Sequence, residues 1–210
     1  MEVLEDAHYE DQAKRFKELY YLYEPRRMVI DANGPGLGLV DYLVKPTIIH
    51  STGERFPGFG VYNDKDKEYS KYRTNDTVDD VLYLITANPT LNTEAHVYFQ
   101  TQLATGKVKF LIDERTAREK LLSTKVGQAM KPEEREKHLL PYVLTTILKN
   151  EMLNLYEKHE GFNIILERDK RSIKKDKFSA CEYALYYIKT EEESRQKKKK
   201  FKASDFIFKN

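Results

Sequence analysis

Two aspartates stand where a carboxylate could hold a metal ion. The first, Asp31, directly follows the short apolar run Met28-Val29-Ile30, which is typical of a strand buried on both faces. Glycines and a proline follow at once, as expected for a tight turn leading into a helix. Because the carboxyl ends of parallel strands line the crevice of an α/β sheet, we expect Asp31 to point into that crevice. The alternative is an aspartate that only caps the following helix.

The second aspartate, Asp176, stands at the head of a predicted helix with an apolar stripe through Ala180, Tyr183 and Tyr187. This spacing places Asp176 on the inward face of that helix. The alternative is a capping or salt-bridging aspartate. Six neighbouring basic residues are predicted to contact the phosphates of DNA: Arg168, Lys170, Arg171, Lys174, Lys175 and Lys177.

Two carboxylates and a phosphate oxygen suit magnesium or manganese, because hard divalent cations prefer oxygen ligands. Two such ions about 4 Å apart can activate water and stabilise the leaving oxygen in phosphodiester hydrolysis. The residues therefore predict Mg²⁺ or Mn²⁺ at Asp31 and Asp176, with two ions in a complete site.

Other kinds of site are disfavoured. The five histidines are scattered along the chain without the spacing of helical zinc ligands. Cys181 stands among helix-forming residues, where we expect a packed thiol. The glycines at 34, 36 and 38 lack the Gly-Lys-Ser/Thr of a phosphate loop and the full dinucleotide fingerprint, so we expect no nucleotide cofactor.

Composition is that of one globular domain. The 210 residues are 40% hydrophobic, and 36 basic against 34 acidic residues leave no strong overall field, so a basic surface must be local. One cysteine cannot form an internal disulfide, and no signal peptide opens the chain, which favours a reducing cytoplasm. No apolar run approaches the roughly 20 residues of a membrane helix.

Periodicity predicts alternating helices and strands, and hence an α/β fold. Pro141 is expected to kink or divide one of the helices. The predicted helices are 9–23, one containing 39–43, 92–105, 114–122, one from 132 to about Gly161, and one from 176. The predicted strands are 27–30, 60–62, 108–112 and 162–166, with 81–85 either a strand or a buried helical turn.

Four segments resemble the nuclease domain of tailed-phage large terminases. The segment RMVIDANGPGLGLVDYL (27–43) is similar to the second acidic motif of that family, and KKDKFSACEY (174–183) to the third. Between them, KNEMLNL (149–155) and IILE (164–167) are also similar. The resemblance implies a ribonuclease H-like mixed sheet flanked by helices. It also implies a metal-dependent endonuclease that cuts concatemeric double-stranded DNA during viral genome packaging, with Asp31 and Asp176 as catalytic metal ligands.

The implied partners are double-stranded DNA, the terminase small subunit, the portal protein and the upstream ATPase portion of the large terminase, in the cytoplasm of an infected bacterial host. The family uses three acids, and the first lies on a strand upstream of the helix that begins near Tyr9. We expect that strand to be missing and the fold to be N-terminally truncated, through a split gene, an internal start or a shortened chain. The chain alone is then expected to bind metal weakly and to be a poor catalyst, with full activity only alongside the missing segment. The predicted division is a partial nuclease domain at 1–190 and a charged tail at 191–210, which is expected to dock through its aromatic residues Phe201 and Phe206–Phe208.

The competing hypothesis is a non-catalytic remnant of a terminase that binds DNA or the portal. Its binding surface would be the basic turn between Arg168 and Lys177 together with the lysine run Lys197–Lys200.

Overall fold

The computed structural model describes Leu4, residues 7–48 and residues 53–204, with side chains described as far as Lys197. These residues form two compact units. One consists of Pro89–Tyr186 and is called the helix–hairpin unit. The other, called the sheet unit, consists of the described residues before Pro89 and from Tyr187 onward. The expected boundary at residue 190 stays a prediction.

The fold is mixed α/β, as expected. The helices are α1 (Tyr9–Tyr23), α2 (Pro35–Leu43), α3 (Pro89–Ala104), α4 (Glu114–Leu122), α5 (Lys125–Ala129), α6 (Pro132–Leu153) and α7 (Asp176–Ser204), with a 3₁₀ turn at Ser70–Tyr72. The strands are β1 (Met28–Asp31), β2 (Thr47–Ile48), β3 (Arg55–Phe56), β4 (Phe59–Val61), β5 (Val78–Ile85), β6 (Leu155–Glu160) and β7 (Asn163–Arg168). Within the described ranges, no helix is long and apolar enough to cross a membrane.

The sheet unit contains a three-stranded parallel sheet in the order β1-β5-β4. Helices α1 and α2 pack together beside it, and the core joins Ala13 of α1, Val40 and Leu43 of α2, Ile30 of β1 and Leu82 of β5. Strands β2 and β3 form a separate antiparallel pair. Strand β1 lies at one edge of this sheet and ends at Asp31. The carboxylate of Asp31 therefore lies at the carboxyl end of a parallel strand.

The turn between β1 and α2 depends on glycine. Gly34 has a φ of +51°, a backbone angle that residues with a side chain rarely adopt. A Cβ placed on Gly36 would lie 1.7 Å from the backbone oxygen of Asp31, so only glycine allows α2 to start this close to β1. The glycines predicted to form a tight turn therefore also set the distance between helix and strand.

The helix–hairpin unit is built around Phe99 of α3, Leu148 of α6 and Phe178 of α7. The antiparallel hairpin β6–β7 packs through β7 against α3. Leu155 and Leu166 pack onto the same core from the two hairpin strands.

Two predictions for this unit are wrong. The run Val108–Ile112 is not a strand, since it pairs with no other strand among the described residues. The carbonyl oxygen of Leu111 instead accepts a hydrogen bond from the ammonium of Lys149 at 2.8 Å. The helix expected to reach Gly161 ends at Leu153, and residues 155–160 pair with β7 instead. Gly161, with a φ of +61°, lies in the two-residue hairpin turn rather than at a helix end.

Two further expectations concern helix continuity. Pro141 lies inside α6, which runs unbroken from Pro132 to Leu153, so the proline does not divide the helix. The charged segment beginning at Glu191 continues helix α7 as far as Ser204. The aromatic residues expected to dock the tail, Phe201 and Phe206–Phe208, lie outside the described side chains.

Candidate functional site

Asp31 lies at the carboxyl end of β1, as predicted, and its side chain is exposed. Its Oδ1 accepts a hydrogen bond from the backbone N–H of Asn33 at 3.1 Å. The side chain of Asn33 donates to the carbonyl oxygen of Ala87 at 3.3 Å, which fastens the turn to the segment after β5. Gly34 is the N-cap residue of α2 and no side chain caps the helix, so the capping alternative for Asp31 does not hold.

A cleft of about 510 Å³ lies beside this turn. It opens between the first turns of α1 and α2, and Gly36, which touches the backbone of Asp31, forms part of its wall. The imidazole of His8 caps α1 by accepting a hydrogen bond from the N–H of Glu10 at 3.3 Å. The cleft is lined by Ala7, His8, Tyr9, Gln12, Pro35, Gly36 and Leu39.

Asp176 is the first residue of α7 and is exposed, so the expectation that it lies on the inward face is wrong. The buried acid at this helix start is Glu151 of α6, which is 2% exposed. Its carboxylate accepts hydrogen bonds from the backbone N–H of Phe178 at 3.0 Å and from the ammonium of Lys177 at 3.2 Å. An acid near the positive end of a helix dipole is favourable, and here it comes from another helix.

The six predicted DNA-binding residues separate into two groups. Lys177 is held by Glu151, and Arg168 folds back so that its Nη1 donates to the carbonyl oxygens of Arg171 and Ile173 at 3.1 and 3.4 Å. Lys170, Arg171, Lys174 and Lys175 are exposed. Arg168 is also exposed, so of the six residues only Lys177 is withdrawn from the surface, and DNA contact by the other five stays a prediction.

A hydrogen-bond network around the buried His96 in the same unit was not predicted. The Nδ1 of His96 lies 3.0 Å from Glu182, and its Nε2 lies 3.2 Å from Glu157. Burial alone would lower the pKa of His96, but the hydrogen bonds to the two carboxylates outweigh it and raise the pKa above its ordinary value. The hydrogen bonds from His96 and Gln100 lower the pKa of Glu157. The network joins α3, β6 and α7.

Asp31 belongs to the sheet unit and Asp176 to the helix–hairpin unit, so their sharing of a metal site stays a prediction. Within the described part of the chain, no group of three or more histidine, cysteine, aspartate or glutamate side chains could hold a metal ion. Burial raises the pKa of the Cys181 thiol, which favours the protonated form.

No family model, no curated protein and no solved structure matches this chain.

Proposed function

We propose that this chain is the metal-dependent endonuclease part of a viral DNA-packaging terminase large subunit, with a ribonuclease H-like fold. The observation that carries the proposal is the placement of Asp31 at the carboxyl end of a parallel strand, within the motif 27–43. Ligand sites of parallel α/β sheets lie at that end of the strands. Asp176, at the exposed start of α7 beside a basic segment, is the second proposed metal ligand.

The residues present fit a hard divalent cation. Asp31 is exposed, and within the described residues its Oδ1 is oriented by a hydrogen bond from its own turn, so the carboxylate stays accessible. Asp31 and Asp176 would hold Mg²⁺ or Mn²⁺, which would activate water for attack on a DNA phosphodiester. Exposed lysines of the segment after β7 would neutralise the DNA backbone.

The proposed activity is tested by manganese-dependent nicking of supercoiled plasmid, with Asp31→Asn and Asp176→Asn as the test variants. Each is expected to lower nicking by about two orders of magnitude, because a lost ligand disturbs the geometry that catalysis requires. Asp41→Asn and Glu136→Gln, at exposed positions of the same two units, are matched controls that should retain full activity. Loss of nicking in only one of the two test variants would contradict a shared site.

The same proposal includes the partners that the resemblance implies: double-stranded DNA, the small terminase subunit, the portal and an ATPase portion of the large subunit, in the host cytoplasm. Nicking should therefore be measured with and without a separately supplied segment bearing the first acidic strand. A rise in activity on its addition would support the expectation that the site is completed by another segment.

A non-catalytic DNA- or portal-binding role is the second candidate, and the exposed cations Lys170, Arg171, Lys174 and Lys175 favour it. In that case Asp31→Ala should leave DNA binding intact and nicking should be absent. Replacement of the lysines at 197–200 should then weaken binding and flatten its salt dependence.

A further inference from the structure

The last turn of α6 holds the segment between β7 and α7, residues 169–175, which we call the basic loop. Asn154, the C-cap residue of α6, is 7% exposed. Its side-chain amide donates to the carbonyl oxygen of Lys170 at 3.0 Å and accepts from the N–H of Lys170 at 2.9 Å. Its backbone oxygen accepts from the N–H of Asp169 at 2.9 Å. Three hydrogen bonds from one buried residue therefore fix the start of the basic loop.

The end of the basic loop is fixed from the same turn of α6. Glu151 precedes Asn154 by three residues and accepts the N–H of Phe178, just inside α7. Between the two anchors, the guanidinium of Arg168 reaches the carbonyl oxygens of Arg171 and Ile173. The backbone of the loop is thus tied at both ends and across its middle.

The side chains left on the outside of this frame are cationic. Lys170, Arg171, Lys174 and Lys175 are exposed, and the acids in the same stretch are Asp169 and Asp176. Lys177 differs from them, since its ammonium lies 3.2 Å from Glu151 and its side chain is only 14% exposed. Glu151 therefore cancels the charge of the one lysine that faces inward.

We propose that the basic loop is a preorganised binding surface for the phosphate backbone of duplex DNA, in which Asn154 and Glu151 are positioning residues and Lys177 makes no phosphate contact. The inference rests on the proposed function, because DNA is the substrate of that function. Preorganisation favours binding, since a loop backbone that is already fixed before association costs less entropy when the complex forms.

The charge assignment is tested by the salt dependence of binding to a short fluorescent duplex, measured on the full chain by anisotropy. Lys170→Gln and Arg171→Gln should each flatten the slope of log K against log salt by about one, because each removes one phosphate contact. Lys177→Gln should leave the slope unchanged. A flattening by about one in the Lys177 variant would overturn the assignment.

Glu151→Gln distinguishes a role of Glu151 in positioning the basic loop and Lys177 from a role in the stability of the fold alone. The amide oxygen can still accept from Phe178, but Lys177 loses its counter-charge and can extend its ammonium to the surface. We expect a lower melting temperature but DNA binding about threefold tighter and a steeper salt slope. If the role of Glu151 were only structural, binding would weaken together with stability, and that result would overturn the proposal.

Asn154→Ala should weaken DNA binding by about fivefold, because the start of the basic loop must then become ordered when DNA binds. Hydrogen exchange needs no DNA and should show faster exchange at Asp169 and Lys170. If the Lys170 and Arg171 variants weaken binding while Asn154→Ala does not, the inference fails and the proposed function survives. If the unmodified chain binds no duplex, both this inference and the proposed DNA substrate are contradicted.

Discussion

Lys17 shows how a single residue can hold a charge inside the sheet unit. It is fully buried on α1, and its ammonium donates to the backbone oxygen of Lys45 at 2.5 Å and to the hydroxyl of Thr47 at 2.8 Å. The Phe59 ring lies 5.7 Å from the same nitrogen. These contacts anchor the chain after α2 to α1, but they include no carboxylate, so burial lowers the pKa of Lys17 to about 8.

The lowered pKa of Lys17 predicts that the free energy of unfolding increases as the pH rises. A folded-state pKa of about 8, below the unfolded value of 10.5, means that the favourable contribution is present above pH 10.5 and is lost as the pH falls through about 8. Relative to Lys17→Met, the unmodified chain should gain about 2–3 kcal/mol between pH 7.5 and pH 10. Urea denaturation of both proteins at the two pH values measures the difference. Parallel pH profiles would contradict the assignment.

His96 predicts the opposite dependence near neutral pH. Its pKa is raised above 6.5, so its contribution is fully present below pH 6.5 and is lost as the pH rises through the folded-state value. His96→Gln should cost about 1–3 kcal/mol at pH 6 and less at pH 8.5, because only the protonated ring carries an N–H on both nitrogens and can donate to Glu157 and Glu182 together. His159→Gln is a suitable control, as that histidine is exposed and lies 3.9 Å from Glu157.

At the scale of elements, the junction of β1 and α2 is the most sensitive to a single added carbon. Gly36→Ala forces a Cβ onto the backbone oxygen of Asp31, so α2 must move away from β1. We expect a loss of about 2–4 kcal/mol in the free energy of unfolding, the combined cost of overpacking and displaced core contacts. Gly34→Ala meets no neighbouring atom and should cost only about 1 kcal/mol, from its positive φ. Equal losses in chemical denaturation would contradict the close approach.

The elements that could be predicted are those whose signals are local. Helix α1 and strand β1 follow from periodicity and composition, and Pro132 marks the start of α6. The failures at 108–112 and 155–160 arise because a strand is defined by its pairing with another strand. The composition and periodicity of one segment do not show whether that pairing forms. In the candidate site, the position of Asp31 followed from its strand. The roles of Glu151 and His96 did not, since their partners Phe178 and Glu182 lie 27 and 86 residues away.

At the scale of the whole molecule, the sheet unit is discontinuous in sequence. The residues of α7 from Tyr187 onward belong to it, although the helix begins at Asp176 in the other unit. Within the sheet unit, the ring of Tyr187 lies 4.9 Å from that of Tyr83 on β5, and Glu191 pairs with Arg26 at 3.2 Å. The carboxyl-terminal half of α7 therefore packs against elements formed by residues before Pro89.

Substitutions of Tyr187 test whether this packing stabilises the sheet unit, because the ring and the hydroxyl of Tyr187 have different surroundings. The hydroxyl is buried without a hydrogen-bond partner among the described residues, and burial raises the pKa of the phenol. Tyr187→Phe should therefore leave stability unchanged or raise it by up to about 1 kcal/mol, since the desolvated hydroxyl is removed. Tyr187→Ala should cost about 2–4 kcal/mol through the lost ring packing.

Hydrogen exchange shows where the loss in Tyr187→Ala falls. If the carboxyl-terminal half of α7 stabilises the sheet unit, the amides of β1 and β5 should exchange faster while those around Phe99 and Leu148 keep their protection. Equal loss of protection in both units would show that they unfold as one. Unchanged exchange in β5 would show that the sheet does not depend on α7, because the packing of Tyr187 on Tyr83 would then contribute nothing to it.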